Sequence, residues 1–356
     1  MALRVREIRE KFPDLILDVI GNIDATIAGI GSLQQSQLND ILFIFKVAAL
    51  PDAYAALAQT IVVPSDCKSQ LPPSSKKTFL LSPNPEMAMA LISREYFAPK
   101  LMGSCNGTIS ERAHISSTAK ISKNVSIGPF SFIGENVVIG EGAQISSNCV
   151  IENDAKVGAH SKLYPFVFVG MNCVVGRDCV IQAHVAIGSQ GFGYAHDKAG
   201  HIHKPHLGRV ILGERVEVGA GTMIDRGTID DSNFGDGTKI DNLCHFGHNA
   251  TFGKNCLITA GFVSAGSIRV GDNFVCGGRT TIAGHLQVSD NVTIAAHSTV
   301  GQSHHQPGQF GGYPLVPMQT YMRNLLTTPH LAEMQKNIMK LLKKIFPDEV
   351  HKEGPN

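Results

Sequence analysis

The segment 241–253, DNLCHFGHNATFG, carries two histidines three residues apart, His245 and His248. Imidazole exchanges a proton near neutral pH, so either ring can serve as a general base. Gly266 follows His248 by eighteen residues, and Gly284, eighteen further on, is followed at once by His285. If the chain repeats every eighteen residues, His248, Gly266 and Gly284-His285 stand in one column. Neighbouring strands of a β ladder lie about 4.8 Å apart, so that column fits within roughly 10 Å. Its members suit acyl transfer. An amine that attacks a thioester must shed a proton, and the tetrahedral intermediate carries an oxyanion that needs a donor. A glycine N–H can be that donor because no Cβ blocks the approach, and His285 can add a second contact. His245 reads as a substrate-contacting or supporting residue. Taken singly, His248 is as readily a solvated corner histidine; the column is what favours chemistry. His201, His203 and His206 in HIHKPH invite a metal reading, but no carboxylate or cysteine accompanies them at a fixed spacing, and no metal is expected.

The column exists only if the repeat does. Stepping by six from Ile109 to Ile187 meets fourteen aliphatic residues without a failure. The register resumes at Leu212, Val218 and Ile224, shifts by four, and runs from Phe234 to Val300 with one clear break at Ser264. An α-helix cannot hold this period on one face, because six residues turn it by about 600°. A short strand followed by a corner can. Glycine often follows the aliphatic residue, as at Gly128, Gly134, Gly140, Gly247 and Gly253, and is expected to supply a tight bend. Four places after the aliphatic residue comes a small one, and Cys149, Cys173, Cys179, Cys244 and Cys256 all fill this slot. They read as small buried hydrophobes, with no CxxC pair and no need for disulfides in a chain of 356 residues.

The expected fold is therefore mainly β: a parallel β-helix of hexapeptide repeats over residues 105–302, with three short strands per coil and about ten coils. Two segments leave it, SQGFGYAHDKAGHIHKPHLGRV between Ile187 and Leu212, and DRGTIDDSN before Phe234. Loops on a rigid scaffold are where binding surfaces are commonly built. Residues 1–104 lack the period and read as a small α/β domain. Its helices are RVREIREKF and a segment opening at Asn84-Pro85; its strands are LILDVIG, ILFIFKV and TIVVP; QLPPSSKK is a surface loop. Residues 303–356 read as a helical extension. Leu331, Met334, Ile338, Leu341, Leu342 and Ile345 recur at helical spacing, beside a basic side of Lys336, Lys340, Lys343 and Lys344. That helix is expected to pack on copies of itself, and its basic side can also attract an acidic protein.

Composition narrows the class. Lys plus Arg total 31 against 30 for Asp plus Glu, which argues against a nucleic-acid binder. No long apolar stretch follows Arg4, Arg6, Arg9 and Lys11, and ILFIFKVAAL is short and broken by Lys46. Neither an export signal nor an integral membrane segment is expected, and a cytoplasmic protein is the default.

QGFGYA, GRVILGERVEVGAGTMIDRGTIDDSNFGDGTKIDNLCHFGHN, SAGSIRVGDN, IAGHLQV and GGYPLVP, in this order, resemble the UDP-3-O-(3-hydroxyacyl)glucosamine N-acyltransferases of lipid A biosynthesis. The likeness runs from about residue 105 to 320, and the basic C-terminal helix fits it. It implies a left-handed prism, a homotrimer with sites between subunits, an N-terminal uridine-binding domain, and the cytoplasm of a Gram-negative bacterium. The implied reaction moves a 3-hydroxyacyl chain from acyl carrier protein to the 2-amino group of UDP-3-O-acylglucosamine. No cofactor is implied beyond the 4′-phosphopantetheine borne by the carrier. By the same resemblance His248 is the base, Gly266 carries the backbone donor and His285 assists, while Asp241, His245 and Asn249 line the substrate or pantetheine channel.

One departure stands out. The family's Asn-Pro-Lys-Tyr-like stretch in the N-terminal domain has no counterpart in NDILFIFKVAALPDAYA, which leaves Phe43 or Phe45 as candidates to stack on uracil. The nearest alternative is an O-acyltransferase acting on UDP-N-acetylglucosamine, which shares the prism but is not expected to carry the N-terminal domain. A zinc hydratase would need three histidines converging across subunits. A non-catalytic scaffold leaves the histidine column unexplained.

Overall fold

The computed structural model describes residues 3–72, 76–98, 107–311 and 318–346, with side chains from residue 322 in the last segment. The chain divides into two compact units, Met1–Lys100 and Leu101–Asn356.

In the first unit a five-stranded sheet runs in the order Asp18–Ile20, Thr78–Ser82, Thr60–Pro64, Asp40–Phe43, Gly29–Ile30. Only the Asp18–Ile20 edge is antiparallel. Parallel strands need both faces covered, and accordingly Ile61, Val62 and Val63, like Phe79, Leu80 and Leu81, are apolar and buried without alternation. One face packs Ile41, Val62 and Leu80 against Val5, Ile8, Ala88 and Ile92 from helices Val5–Lys11 and Pro85–Ile92. The other packs Leu42, Ile61, Val63 and Phe79 against Leu50 and Ala53 of helix Leu50–Ala55. Asn84 caps its helix as its type and position suggest, accepting from the Met87 amide at 3.0 Å. The strands Gly29–Ile30 and Thr78–Ser82 were not foreseen. The first is too short for periodicity to register, and the second adjoins QLPPSSKK, part of which lies outside the described residues.

The second unit is the repeat made solid. Two-residue strands stack into three parallel ladders, and partners lie eighteen residues apart: Ile133 with Ile151, Ile139 with Val157, Ile127 with Ile145. The first face runs from His114–Ile115 to Thr299–Val300, the second from Lys120–Ile121 to Gln287–Val288, the third from Ser126–Ile127 to Gly308–Phe310. The aliphatic positions point inward and are almost wholly buried from Ile127 to Val300, each contributing about 1.5–3 kcal/mol. The five slot cysteines are buried among them, and burial pushes the thiols up, Cys149 and Cys179 to about 11. Such thiols are poor nucleophiles and metal ligands.

Two expectations need correction. The glycines directly after the aliphatic residue do not generally supply the bend. Left-handed backbone occurs two residues later, at Asn124, Asn136, Asn148, Asn249, Asn273, His285 and their equivalents, with φ between 54° and 64°. The glycines answer crowding between coils instead: a Cβ at Gly140 would stand 2.5 Å from the Ala159 amide nitrogen, and one at Gly128 2.6 Å from that of Ser147. The β structure also outlasts residue 302. Gly308–Phe310 pairs with Val292–Ile294 after an irregular loop that breaks the period of six.

Beyond the ladders come helices Met318–Thr327 and Leu331–Ile345, joined through a 3-10 turn at Thr328–His330. Apart from Gly311, the GGYPLVP motif lies outside the described residues. No described helix is long and apolar enough to cross a membrane.

Candidate active site

All the unusual features of the prism fall on one edge, where the first face turns into the second. His248 follows His245–Phe246 of the first face and precedes Thr251–Phe252 of the second. Gly266 and Gly284-His285 occupy the same turn in the next two coils. The Ser267 amide donates to the His248 carbonyl at 2.8 Å, and the His285 amide to the Gly266 carbonyl at 3.1 Å. Both excursions leave from this edge as well. One departs after Ala186–Ser189 and returns at Val210–Leu212; the other departs after Met223–Asp225 and returns at Ser232–Phe234.

Hydrogen bonds fix the protonation pattern of His248. The Asn249 side chain is oriented at both ends: Oδ1 accepts from the Thr228 amide at 2.9 Å, and Nδ2 donates to the Asp230 carbonyl at 2.9 Å. Oδ1 can therefore only accept from His248 Nδ1, which lies 2.9 Å away, with the Thr228 hydroxyl at 3.3 Å. The proton sits on Nδ1 and the lone pair on Nε2. That nitrogen lies over Gly266, where a Cβ would come within 2.6 Å of it. Only glycine fits.

The Gly266 amide is free for another reason. At the same turn position the amide of Glu135 donates to the Asn153 side chain one coil on, Lys254 to Asp272, and Asp272 to Asp290, at 2.7–2.8 Å. One coil beyond Gly266 stands Gly284, which has no side chain to accept. Among the described residues the Gly266 amide has no protein acceptor. A base with an exposed lone pair thus adjoins a backbone donor that the repeat leaves unused.

Two hollows meet at His248. A cavity of about 370 Å³ is lined by Thr228, Asp230, Asn249 and Arg269 among others. A larger one of about 700 Å³ is lined by Phe192, Tyr194 and Lys204 from the hairpin of the first excursion, with His248 and His285 opposite.

The other candidates are placed as follows. His245 is exposed on the first face, with Nε2 at 3.9 Å from Asp225 Oδ2. Asn249 lines the smaller hollow but also tethers His248, a role beyond the expected channel lining. Asp241 is not brought to His248 within one chain. It lies at the preceding corner, after Lys239–Ile240 of the third face, where its carboxylate accepts from the Ala260 amide at 3.1 Å. Phe43 and Phe45 belong to the first unit; Phe43 packs partly into its core, and Phe45 is exposed just beyond the strand.

Sequence reasoning passed over Asp225, although DRG marks the point where the second excursion departs. Its carboxyl is buried, accepts from the Ser189 hydroxyl at 3.0 Å, and is pushed up by burial against the pull of His245 and His248. His206, weighed in the sequence only as a metal ligand, is instead buried beside His248. No group of three side chains able to hold a metal occurs among the described residues.

Relatives bear on what this edge does. The chain is 42% identical over 147 residues to the UDP-3-O-acylglucosamine N-acyltransferase of Methylorubrum extorquens (strain PA1), matching 41% of this chain and 42% of that one. It is also 42% identical over 245 residues to the enzyme of that name from Campylobacter lari, covering 68% of this chain and 73% of the relative. The chain belongs to the UDP-3-O-acylglucosamine N-acyltransferase family. It thus spans well under half the length of the Methylorubrum member and nearly three quarters of the Campylobacter one. A model of the GMPPB C-terminal domain matches residues 109–229. Among solved structures, an Arabidopsis UDP-N-acetylglucosamine acyltransferase superposes with a TM-score of 0.53 at 20% identity, over 70% of this chain and 86% of that one. This likeness concerns the fold, which is the left-handed parallel β-helix of such acyltransferases.

Proposed function

We propose that this member of the family transfers a 3-hydroxyacyl chain from acyl carrier protein to the 2-amino group of UDP-3-O-(3-hydroxyacyl)glucosamine, with His248 as general base. The observation that carries the reading is the exposed Nε2 lone pair of His248, held by Asn249 beside the unused Gly266 amide. In the proposed step the amine nitrogen bonds to the thioester carbonyl carbon while Nε2 takes its proton. The carbonyl oxygen becomes an oxyanion next to the Gly266 N–H. Collapse breaks the C–S bond, and the imidazolium returns the proton to the departing pantetheine thiol, leaving an amide and a free carrier. No cofactor beyond that pantetheine enters the step.

The rest of the reading follows from this reaction and from the family. The chain works as a homotrimer in the cytoplasm, where neighbouring prisms complete the groove that Asp241 lines, and His285, on the same edge as His248, assists. His245, tied to Asp225, contacts substrate. Phe43 or Phe45 stacks on uracil in residues 1–104, and the basic side of the C-terminal helix receives the acidic carrier.

The test offers the purified protein two acceptors, UDP-3-O-acylglucosamine and UDP-N-acetylglucosamine, with 3-hydroxyacyl carrier protein, and identifies products by mass spectrometry. N-acylation of the first acceptor is expected. O-acylation of the second alone would replace this reading with the O-acyltransferase one.

A further inference from the structure

His206 comes from the HIHKPH stretch, yet unlike His201 and His203 it is buried, at 2% exposure. Among the described residues its ring nitrogens make no well-formed hydrogen bond, the Lys204 backbone being their marginal partner. An unsatisfied buried polar group is disfavoured unless something retains it. Its ring stands edge-on to His248, with centroids 5.2 Å apart and planes at 60°. Gly191 closes over both: a Cβ there would lie 2.7 Å from His206 Nε2 and 2.8 Å from His248 Cβ. The first excursion thus folds back to press an imidazole against the flank of the base that Asn249 and Gly266 leave open.

We propose that His206 is a positioning residue for His248, a neutral ring that holds the base in line and faces the positive charge it acquires in each turnover. The inference rests on His248 being the base. When Nε2 takes the amine's proton, an imidazolium appears beside a neutral polar ring, a better neighbour for charge than an apolar side chain. A protonated neighbour would repel it. Burial and the nearby His248, together with His203 and Lys204, push His206 below the ordinary histidine range, against the pull of the Lys204 backbone. Around His248 the other titratable or charged groups are Asp225 and, through it, His245, with Asp230, Asp231 and Arg269 about the smaller hollow and His196, His201, Lys204 and His285 about the larger. An ordinary core residue would be apolar here. A histidine with so poor a set of partners makes sense if its neutral ring serves the group it touches.

The test compares His206→Leu, His206→Phe and His248→Ala with wild type, reading kcat, KM and the pH profile of kcat/KM. His206→Leu removes two poorly partnered nitrogens, so the fold should hold, as circular dichroism checks. It is expected to lower kcat by roughly 10- to 100-fold with KM unchanged, and to move the acid limb of the profile to lower pH, because the imidazolium loses a polar neighbour to an apolar one. His206→Phe, which keeps a ring, should recover most of kcat. A Leu variant with the wild-type limb, a loss confined to KM, or a Phe variant as impaired as Leu would each overturn the proposal. High turnover by His248→Ala would instead remove the base on which it rests, and with it the proposed mechanism, so the two failures are distinguishable.

Discussion

Asn249 decides which nitrogen of His248 is basic, and it does so from the one turn position where the backbone is left-handed. Asparagine tolerates that conformation better than most residues, so one side chain both closes the turn and sets the tautomer. Asn249→Ala should therefore lower kcat by about 10²- to 10⁴-fold with little change in KM, measured under acyl-donor saturation, since the base loses its orientation. His206 adds a pH dependence of a different kind. Its pKa lies below the ordinary 6.5 in the folded chain and near it in the unfolded one. The unfolded state therefore binds more protons, and this contribution to stability is complete above 6.5 and lost as pH falls from 6.5 through the folded value. Thermal melts of wild type should fall on the acid side of 6.5, with a shallower fall for His206→Phe; parallel curves would contradict the assignment.

Ladders and turns carry the site, and much of this level was readable beforehand. The period of six located the coils as far as Val300, and arithmetic by eighteen placed His248, Gly266 and His285 in one column, as the Ser267–His248 and His285–Gly266 hydrogen bonds show. The turn chemistry was less legible, because glycine after an aliphatic residue signals equally a bend or a close approach of backbones. Coordinates separate the two at Gly140, where the limiting contact is the Ala159 backbone. Gly140→Ala should cost about 1–3 kcal/mol in denaturant unfolding, since that backbone cannot yield cheaply; a neutral result would restore the bend explanation. That both excursions leave from the edge that carries His248 was available in principle from the register shifts. The folding of His206 back onto His248 was not, because an irregular loop of this length has no period to read.

At the scale of the molecule, the C-terminal helix stands out. Leu331, Met334, Ile338, Leu341 and Ile345 are all 47–64% exposed along one helix. A monomer rarely leaves such a stripe uncovered, and a symmetric oligomer covers it with its own copies. Ile338→Asp should accordingly weaken or abolish the proposed trimer in analytical ultracentrifugation, whereas an unchanged sedimentation profile would assign the stripe to another partner. The division into Met1–Lys100 and Leu101–Asn356 separates the reaction from recognition in this account, with the chemistry on the prism edge alone. The most direct measurement of that claim is transfer by His248→Ala, assayed with acyl carrier protein and UDP-3-O-acylglucosamine beside a check that the protein remains folded. The account predicts a fall of at least about 10²-fold. Turnover near that of wild type in the folded variant would contradict it.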